Sequence, residues 1–213
     1  MAALFEFRGV SVERDGRRVP ARFSAAIADR GITVVTGPSG SGKSTLLRLC
    51  NRLLVPAEGT VLFGGTDVAT LDPLALRRRV GMVFQQPTPF PGTVLDNLRT
   101  AAELDRDEAA GLLASVDLDP AMLDRDARDL SGGEQQRVCL ARTLATHPEV
   151  LLVDEGTSAL DEAATAILEE LVRGIADGGR PVVWVTHDLA QADRLADHRL
   201  AMDAGPERSD DDG

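Results

Sequence analysis

The sequence predicts an α/β fold in which a mostly parallel sheet is flanked by helices, with an N-terminal antiparallel β subdomain and an inserted helical subdomain. Segments rich in β-branched residues alternate with segments whose apolar residues recur three and four positions apart. Hydrophobic residues make up 43% of the 213 residues, which is enough for one core. We therefore expect a single domain over residues 1–205 and a polar, disordered tail over 206–213.

The first half of the chain consists mainly of predicted strands. Near the N-terminus the strands are short and are joined by a turn at 14–16. A later β-branched strand runs into a glycine-rich turn, and a segment of helical periodicity follows it. The strands lie within 4–27, 31–37, 59–68 and 80–87, the last ending at Pro87, and the helix covers 43–54.

The second half begins with a helical stretch and then alternates helices with strands. Residues from about 88 to 130 are rich in Ala, Leu and Asp and show no clear strand, so we interpret them as a helical subdomain inserted into the strand–helix scaffold. Strands joined by crossover helices pair in parallel. The later predicted helices begin at residues 131, 161 and 188, and the buried strands cover 149–156 and 181–187.

The net charge and the cysteine content limit the possible binding partners and cellular compartment of the protein. A formal net charge of −11 argues against nucleic-acid binding and against attraction to an anionic membrane surface, since both need a basic face. We find no signal-peptide pattern and no apolar run near the roughly 18 residues that span a bilayer. Cys50 and Cys139 lie in apolar helical contexts and read as buried free thiols. We expect a cytoplasmic protein that reaches a membrane only through a protein partner.

One lysine stands among 22 arginines, and it lies in the glycine-rich turn. The stretch GPSGSGKST matches G-x-x-x-x-G-K-[ST] between a predicted strand and a predicted helix. Glycines let backbone N–H groups converge on a phosphate, and the helix N-terminus favours the same anion. Lys43 supplies a compact charge where a planar guanidinium fits poorly, and the Ser44 hydroxyl can bind Mg²⁺.

A chance match in a flexible Gly/Ser turn is the alternative, but the flanking elements favour nucleoside triphosphate binding. The predicted nucleotide-binding residues of this loop are Gly37, Pro38, Ser39, Gly40, Ser41, Gly42, Lys43, Ser44 and Thr45.

Three further polar side chains follow predicted buried strands. Asp154 ends an apolar run and can hold Mg²⁺, whereas Glu155 points to the opposite side and can act as a general base on a water molecule. A helix start decorated with acids is the alternative. His187 follows another strand at its carboxyl end, where ligands bind in open α/β sheets, so we expect it to contact the terminal phosphate.

A second glycine-bearing helix start lies at Ser131, Gly132 and Gly133 and is another candidate anion site. One nucleotide does not need two such sites in one molecule. Two copies placed head to tail about a two-fold axis would let each nucleotide contact the lysine loop of one copy and the serine-glycine turn of the other.

From residue 4 to about 203 the sequence resembles the ATP-binding subunits of ABC transporters. The ordered stretches GPSGSGKST, VFQQP, LSGGEQQR, VLLVDEGTSALD and VTHD carry the resemblance. It implies a P-loop NTPase fold and an ATP-driven motor whose dimer closes on ATP and opens after hydrolysis. It also implies that Gln85 contributes to catalysis and Mg²⁺ binding, that Asp161 joins the nucleotide interface, and that separate membrane-spanning subunits hold the chain at the inner face of the cell membrane.

The resemblance leaves the transported substrate and the adenine contact open. Residues 76–98 resemble phosphate-import ATPases, whereas the short length and the WVTHD stretch resemble compact iron- or metal-export ATPases. Gly156 replaces the proline usual after the glutamate, and we expect a looser turn there. An aromatic residue that often stacks on adenine is replaced by Arg14, whose guanidinium can stack on a base; a solvated turn residue is equally consistent.

Two other functions fit parts of the sequence. A soluble ABC-type ATPase in DNA repair or translation would share the motifs, but the chain lacks a coiled coil, Cys-rich inserts and a duplicated cassette. A nucleotide-binding regulator without catalysis would not need Glu155 or His187. We therefore favour a transport ATPase that uses ATP and Mg²⁺.

Overall fold

The computed structural model describes residues 3–14 and 17–203 and places them in eleven strands and seven α-helices. None of these helices is long and apolar enough to cross a membrane. The strands are β1 (Ala3–Ser11), β2 (Glu13–Arg14), β3 (Arg17–Arg18), β4 (Phe23–Ala28), β5 (Ile32–Thr36), β6 (Glu58–Phe63), β7 (Thr66–Asp67), β8 (Val80–Val83), β9 (Val150–Asp154), β10 (Val182–Val185) and β11 (His198–Ala201). The helices are α1 (Lys43–Cys50), α2 (Pro73–Arg79), α3 (Val94–Arg99), α4 (Arg106–Ser115), α5 (Gly132–Leu144), α6 (Glu162–Asp177) and α7 (Leu189–Leu195).

The predicted parallel sheet is confirmed. Its five strands lie in the order β11-β5-β10-β9-β8, and each neighbouring pair is parallel. Val185 of β10 lies opposite Val35 of β5 on one side and opposite Asp154 of β9 on the other. Because all five strands run the same way, their carboxyl ends meet at one edge of the sheet.

The predicted N-terminal antiparallel β subdomain is a four-stranded sheet in the order β4-β1-β6-β7. Strands β2 and β3 form a separate antiparallel pair in which Arg14 lies opposite Arg17. The two residues between them, and the tail predicted at 206–213, lie outside the described residues.

Alternating side chains of the parallel sheet enter two separate cores. On β9, Leu151 and Val153 belong to one core, while Val150 and Leu152 belong to the other. The first core lies against the helices from α3 to α7, and the second lies against α1 and the antiparallel sheet. A strand buried on both faces needs apolar residues at every position, which is the pattern of these segments.

Two predicted boundaries were wrong, and one strand was missed. Helix α1 ends at Cys50 rather than at residue 54, because Arg52 takes a left-handed φ of 55° and the N–H groups of Leu53 and Leu54 both turn back to the carbonyl of Arg48. Strand β8 stops at Val83, and the chain leaves the sheet with Phe84 47% exposed. Strand β11 was not predicted at all.

The segment predicted as a helical subdomain contains α3, α4 and two short 3₁₀ turns, Pro120–Asp124 and Ala127–Asp129. An isolated β-bridge joins Thr93 to Asp126 across it. Both cysteines are buried free thiols, as expected.

Candidate active site

The carboxyl edge of the parallel sheet gathers most of the predicted site. The glycine loop follows β5, His187 comes two residues after β10, Asp154 ends β9 with Glu155 next, and Gln85 comes two residues after β8. The four strands are consecutive neighbours in the sheet. Residues separated by more than 100 positions in the sequence therefore share one edge, which is where open α/β sheets bind ligands.

Two glycines of the loop could not be replaced without moving its neighbours. Gly37 has a φ of 151°, and a Cβ there would lie 2.4 Å from the carbonyl oxygen of Met202. Gly42 has a φ of 97°, and a Cβ would lie 3.2 Å from Cγ1 of Val19. At these two glycines the loop backbone thus packs against the residues that directly follow β11 and β3.

Lys43 is folded into the loop that precedes it. Its side chain is 6% exposed, and Nζ donates to the carbonyl oxygens of Gly37 at 2.8 Å and Pro38 at 3.0 Å. The hydroxyl oxygen of Ser41, in a residue only 2% exposed, has no hydrogen-bond partner. A buried hydroxyl without a partner is costly unless a ligand satisfies it. The loop therefore has the charge and the donors that a phosphate group would use.

Helix α1 differs from the other six α-helices of the described residues at its first turn. Each of the others has a side chain that accepts a hydrogen bond from the first-turn backbone, whereas Gly42 offers none at the start of α1. The orphan N–H groups and the positive end of the helix dipole are thus available to an anion. This arrangement fits a phosphate of ATP.

Ser44 and Asp154, the two residues predicted to bind Mg²⁺, are in direct contact. The Ser44 hydroxyl donates to Oδ1 of Asp154 at 2.7 Å. Burial raises the pKa of the Asp154 carboxyl, while the Ser44 hydrogen bond and the charge of Arg48 pull it down. Mg²⁺ prefers one or two protein oxygens together with phosphate oxygens and water, so this pair fits a magnesium ion that enters with the nucleotide.

Glu155 lies between Gln85 and His187. Its Oε2 accepts from Nε2 of Gln85 at 3.1 Å and lies 3.4 Å from Nδ1 of His187. The backbone of Glu155 has a left-handed φ of 46°, a conformation that costs a non-glycine residue ~1–3 kcal/mol. Such strain persists only where the surroundings impose it, and it often marks a functional residue.

The contacts of Gln85 and Gly156 add to the sequence analysis. The amide nitrogen of Gln85 also donates to Ser158 Oγ at 3.2 Å, so the structure places this side chain beside Glu155 rather than between Ser44 and Asp154. Sequence reasoning missed Ser158, although a hydroxyl three residues after the glutamate was a visible signal. Gly156, where we expect a looser turn, is buried, and a Cβ there would lie 2.7 Å from Cγ1 of Val153.

The second glycine-bearing helix start is separate from this cluster. Ser131 and Gly132 are exposed, and the Ser131 hydroxyl accepts from the N–H of Glu134 while the Glu134 carboxylate accepts from the N–H of Ser131. No hydrogen bond among the described residues joins this turn to the lysine loop. Asp161 caps α6 through the N–H of Ala164, whose Cβ also faces Gly133. The side chain of Arg14 lies outside the described residues.

A sequence model of the ABC transporter family matches residues 21–158. The chain belongs to the ABC transporter family. Helix α5 begins inside the matched span, as do the lysine loop, Gln85 and the Asp154–Glu155 pair. The match therefore contains both glycine-bearing helix starts and most of the sheet-edge cluster.

Curated proteins from a plant and a bacterium are similar to the chain over most of its length. "Protein STAR1" of Oryza sativa subsp. japonica is 51% identical over 183 residues, which are 83% of this chain and 53% of STAR1. "Phosphate import ATP-binding protein PstB 2" of Mycobacterium tuberculosis is 44% identical over 199 residues, which are 85% of this chain and 72% of that protein. The chain thus spans about half the length of the first relative and nearly three quarters of the second.

A solved component of an ABC transporter complex has the same fold over nearly all of this chain. The structure of cbiO1 from Clostridium perfringens, described as part of the ABC transporter complex cbiONQ, superposes with a TM-score of 0.84 at 25% identity. The superposition covers 96% of this chain and 86% of cbiO1. The fold class predicted from the sequence, a P-loop ATPase fold with an N-terminal antiparallel sheet, is confirmed, and so is the ATP-binding character of the domain.

Proposed function

We propose that two copies of this chain close head to tail around two ATP molecules with Mg²⁺, hydrolyse the ATP, and thereby drive transport through separate membrane-spanning subunits. The single observation that supports this most strongly is the sheet edge, where Lys43, Ser44, Asp154 and Glu155 lie together although the chain separates them by more than 100 residues. The similarity to transporter proteins favours this function over a soluble ATPase in DNA repair or translation.

The lysine loop binds the phosphates of ATP. Lys43 exchanges its two carbonyl partners for phosphate oxygens, the Ser41 hydroxyl gains a partner, and the uncapped N–H groups of α1 face the same anion. Ser44 and Asp154 hold Mg²⁺, with Gln85 as a further candidate ligand. When bound, Mg²⁺ neutralises negative charge on the terminal phosphates.

Glu155 and His187 act on the terminal phosphate end of the site. The Glu155 carboxylate orients a water molecule and accepts its proton, and its strained backbone holds it at the mouth of the site. His187 is largely exposed and follows the neighbouring strand, so its ring can contact the terminal phosphate. Gln85 bridges this pair to the loop that contains Ser158.

The second half of each nucleotide site comes from the other copy. Ser131 and Gly132 are exposed, and Gly132 has open space around the position of a Cβ. An exposed helix start of this kind can approach a phosphate held by another molecule. Asp161 lies beside the same helix start and belongs to the same interface.

The membrane partner docks on the groove beside Gln85. This groove has a volume of about 280 Å³ and lies between β8, the segment after it and α5. Phe84 and Phe90 line it and are each 47% exposed, so the groove offers two aromatic side chains to a partner. A cytoplasmic segment of a membrane-spanning subunit would cover it, which places the chain at the inner face of the cell membrane.

The variant Glu155→Gln tests the proposal. It keeps the shape and the hydrogen bonds but cannot accept a proton, so we expect ATP binding to persist, hydrolysis to fall by at least ~100-fold, and an ATP-dependent dimer to accumulate. Light scattering on a gel-filtration column, with ATP and Mg²⁺ present, measures the dimer. Glu103→Gln, the same change on the surface, is the control.

A variant that stays monomeric with ATP and turns over at the wild-type rate would contradict the roles of Glu155 and the dimer together. The membrane partner is tested separately. Co-purification with a multi-spanning membrane protein supports transport, whereas co-purification with ribosomes or DNA overturns it.

A further inference from the structure

The chain contains one tryptophan, and its indole is hydrogen-bonded to a buried glutamine. Trp184 lies on β10 with no exposed surface, and its Nε1–H donates to Oε1 of Gln191 on α7 at 3.1 Å. Gln191 itself is only 3% exposed. Because an indole can only donate, this contact fixes which end of the Gln191 amide is oxygen.

The nitrogen of the same amide reaches two other elements. Nε2 of Gln191 donates to Oγ1 of Thr157 at 2.9 Å and to Oε1 of Glu169 on α6 at 2.9 Å. Arg194 holds the Glu169 carboxylate from the solvent side with two further hydrogen bonds. Both amide protons and the carbonyl of Gln191 are therefore used, and its side chain has one possible orientation.

Thr157 lies two residues after Glu155 in the same tight turn. The N–H of Glu155 donates to the carbonyl of Val185 on β10 at 3.1 Å, and the N–H of Ser158 donates to the carbonyl of Glu155 at 3.1 Å. The loop is thus attached to the β10–α7 unit at two points, once through the backbone of Glu155 and once through the Thr157 hydroxyl. His187 emerges from that same unit, between β10 and α7.

We propose that Gln191 is a positioning residue for Glu155 and acts through Thr157. Its amide fastens the loop in the left-handed backbone form that presents the Glu155 carboxylate to His187 and Gln85. The inference rests on the proposed role of Glu155 in ATP hydrolysis. It explains why a polar side chain is buried against the tryptophan: a buried amide with every hydrogen bond satisfied imposes one geometry on the groups around it.

Two nearly isosteric variants test this. Thr157→Val removes only the hydroxyl that Gln191 binds, and Gln191→Met removes the amide. We expect kcat for ATP hydrolysis to fall roughly five- to tenfold in each, the change that corresponds to one net hydrogen bond. KM for ATP should stay within about twofold, since no hydrogen bond of Gln191 reaches the lysine loop.

Two readouts separate positioning from simple stabilisation. Amide hydrogen exchange in the segment 155–158 should become faster in both variants, because the loop opens more often. Trp184 emission should change in Gln191→Met, which loses the indole acceptor, and should keep its wild-type maximum in Thr157→Val. The double variant should be no slower than Gln191→Met alone, because both changes break the same link.

Thr70→Val is the matched control, because it also removes a hydroxyl that makes one hydrogen bond, at the remote 3₁₀ turn Val68–Thr70. Its kcat and its exchange at 155–158 should equal those of the wild type. Unchanged kcat and unchanged exchange in Thr157→Val would overturn the inference. If the wild type hydrolyses no ATP, the proposed function fails, while the exchange experiment still decides whether Gln191 holds the loop.

Discussion

The two glycine-bearing helix starts of this chain look alike in sequence and differ in structure. The lysine loop is enclosed: Lys43 is buried, its ammonium is bonded inside its own chain, and α1 has no side-chain cap. The turn at Ser131 is open: Ser131 and Gly132 are exposed, and α5 already has a complete capping box with Glu134.

The difference shows how much of a phosphate site one chain can supply. An uncapped helix with a buried cation can hold an anion by itself, since charge and N–H donors already converge. A capped, exposed helix start has satisfied part of its own backbone and adds its remaining donors only to an anion that is brought to it. The lysine loop should therefore determine the affinity for the nucleotide. The turn at Ser131 should determine the rate of hydrolysis, once a second copy of the chain has bound.

The largest effect should come from Lys43→Ala. Without the ammonium the phosphates lose their buried counter-charge, and removing one partner of such a pair costs ~3–5 kcal/mol. We expect ATP affinity, measured by calorimetry, to fall at least ~100-fold. Lys43→Arg keeps the charge but not the shape, and it should also bind poorly. Near-normal ATPase activity of Lys43→Ala would show that the lysine loop does not determine nucleotide affinity.

Gly132→Asp should separate binding from turnover. A Cβ at Gly132 meets nothing within 4 Å in its own chain, so the fold should tolerate the change, while the added carboxylate repels a phosphate that approaches. We expect unchanged ATP affinity and a loss of hydrolysis of roughly tenfold or more. Gly111→Asp, an exposed glycine of α4 that also has open space, is the control. Full activity in Gly132→Asp would mean that the open turn touches no nucleotide.

Gly133→Ala tests whether Gly133 is needed for the close packing of α5 against α6 rather than for phosphate binding. Its Cβ would lie 2.9 Å from Cβ of Ala164, and overpacking of this kind costs ~1–3 kcal/mol of unfolding free energy. Thermal denaturation should show the loss. Adding Ala164→Gly removes the clashing methyl group and should restore part of the stability. If the single variant is fully stable but inactive, Gly133 serves the phosphate rather than the α5–α6 contact.

Arg14→Ala should have a modest effect on ATP binding, and it tests whether the site at the lysine loop also contacts the adenine base. A cation–π stack on adenine is worth ~0.5–2 kcal/mol, so the dissociation constant for ATP should rise by a few fold up to about 30-fold. Inorganic triphosphate, which has no base, should bind the variant and the wild type equally. An unchanged dissociation constant for ATP would place the adenine elsewhere.

Local rules predicted the sheet and its edge because a parallel strand buried on both faces has a continuous apolar signature, and polar residues at its end are conspicuous. The same rules failed where contacts between distant parts of the chain determine whether a strand forms or where a helix ends. HRLA forms β11 only because β5 offers a free edge, although half of its residues are polar. The apolar period of α1 continues to Leu54, but the chain reverses at Arg52.

The hydrogen bonds that join Trp184, Gln191 and Thr157 could not be predicted from the sequence for a related reason. No local pattern marks any of the three residues, and only the crossover of α6 brings the loop after Glu155 against α7. Sequence patterns report which face of an element is buried, whereas a hydrogen bond between two loops depends on how the elements stack.

The solitary lysine has a practical consequence. A reagent that acylates amines finds a single side-chain target in these 213 residues, and the Nζ of that lysine is hydrogen-bonded to two carbonyl oxygens of its own loop. The rate of acylation at Lys43 therefore reports how often the loop opens, and mass spectrometry of the peptide that contains Lys43 measures it separately from acylation of the N-terminal amine, without a dye or an engineered label.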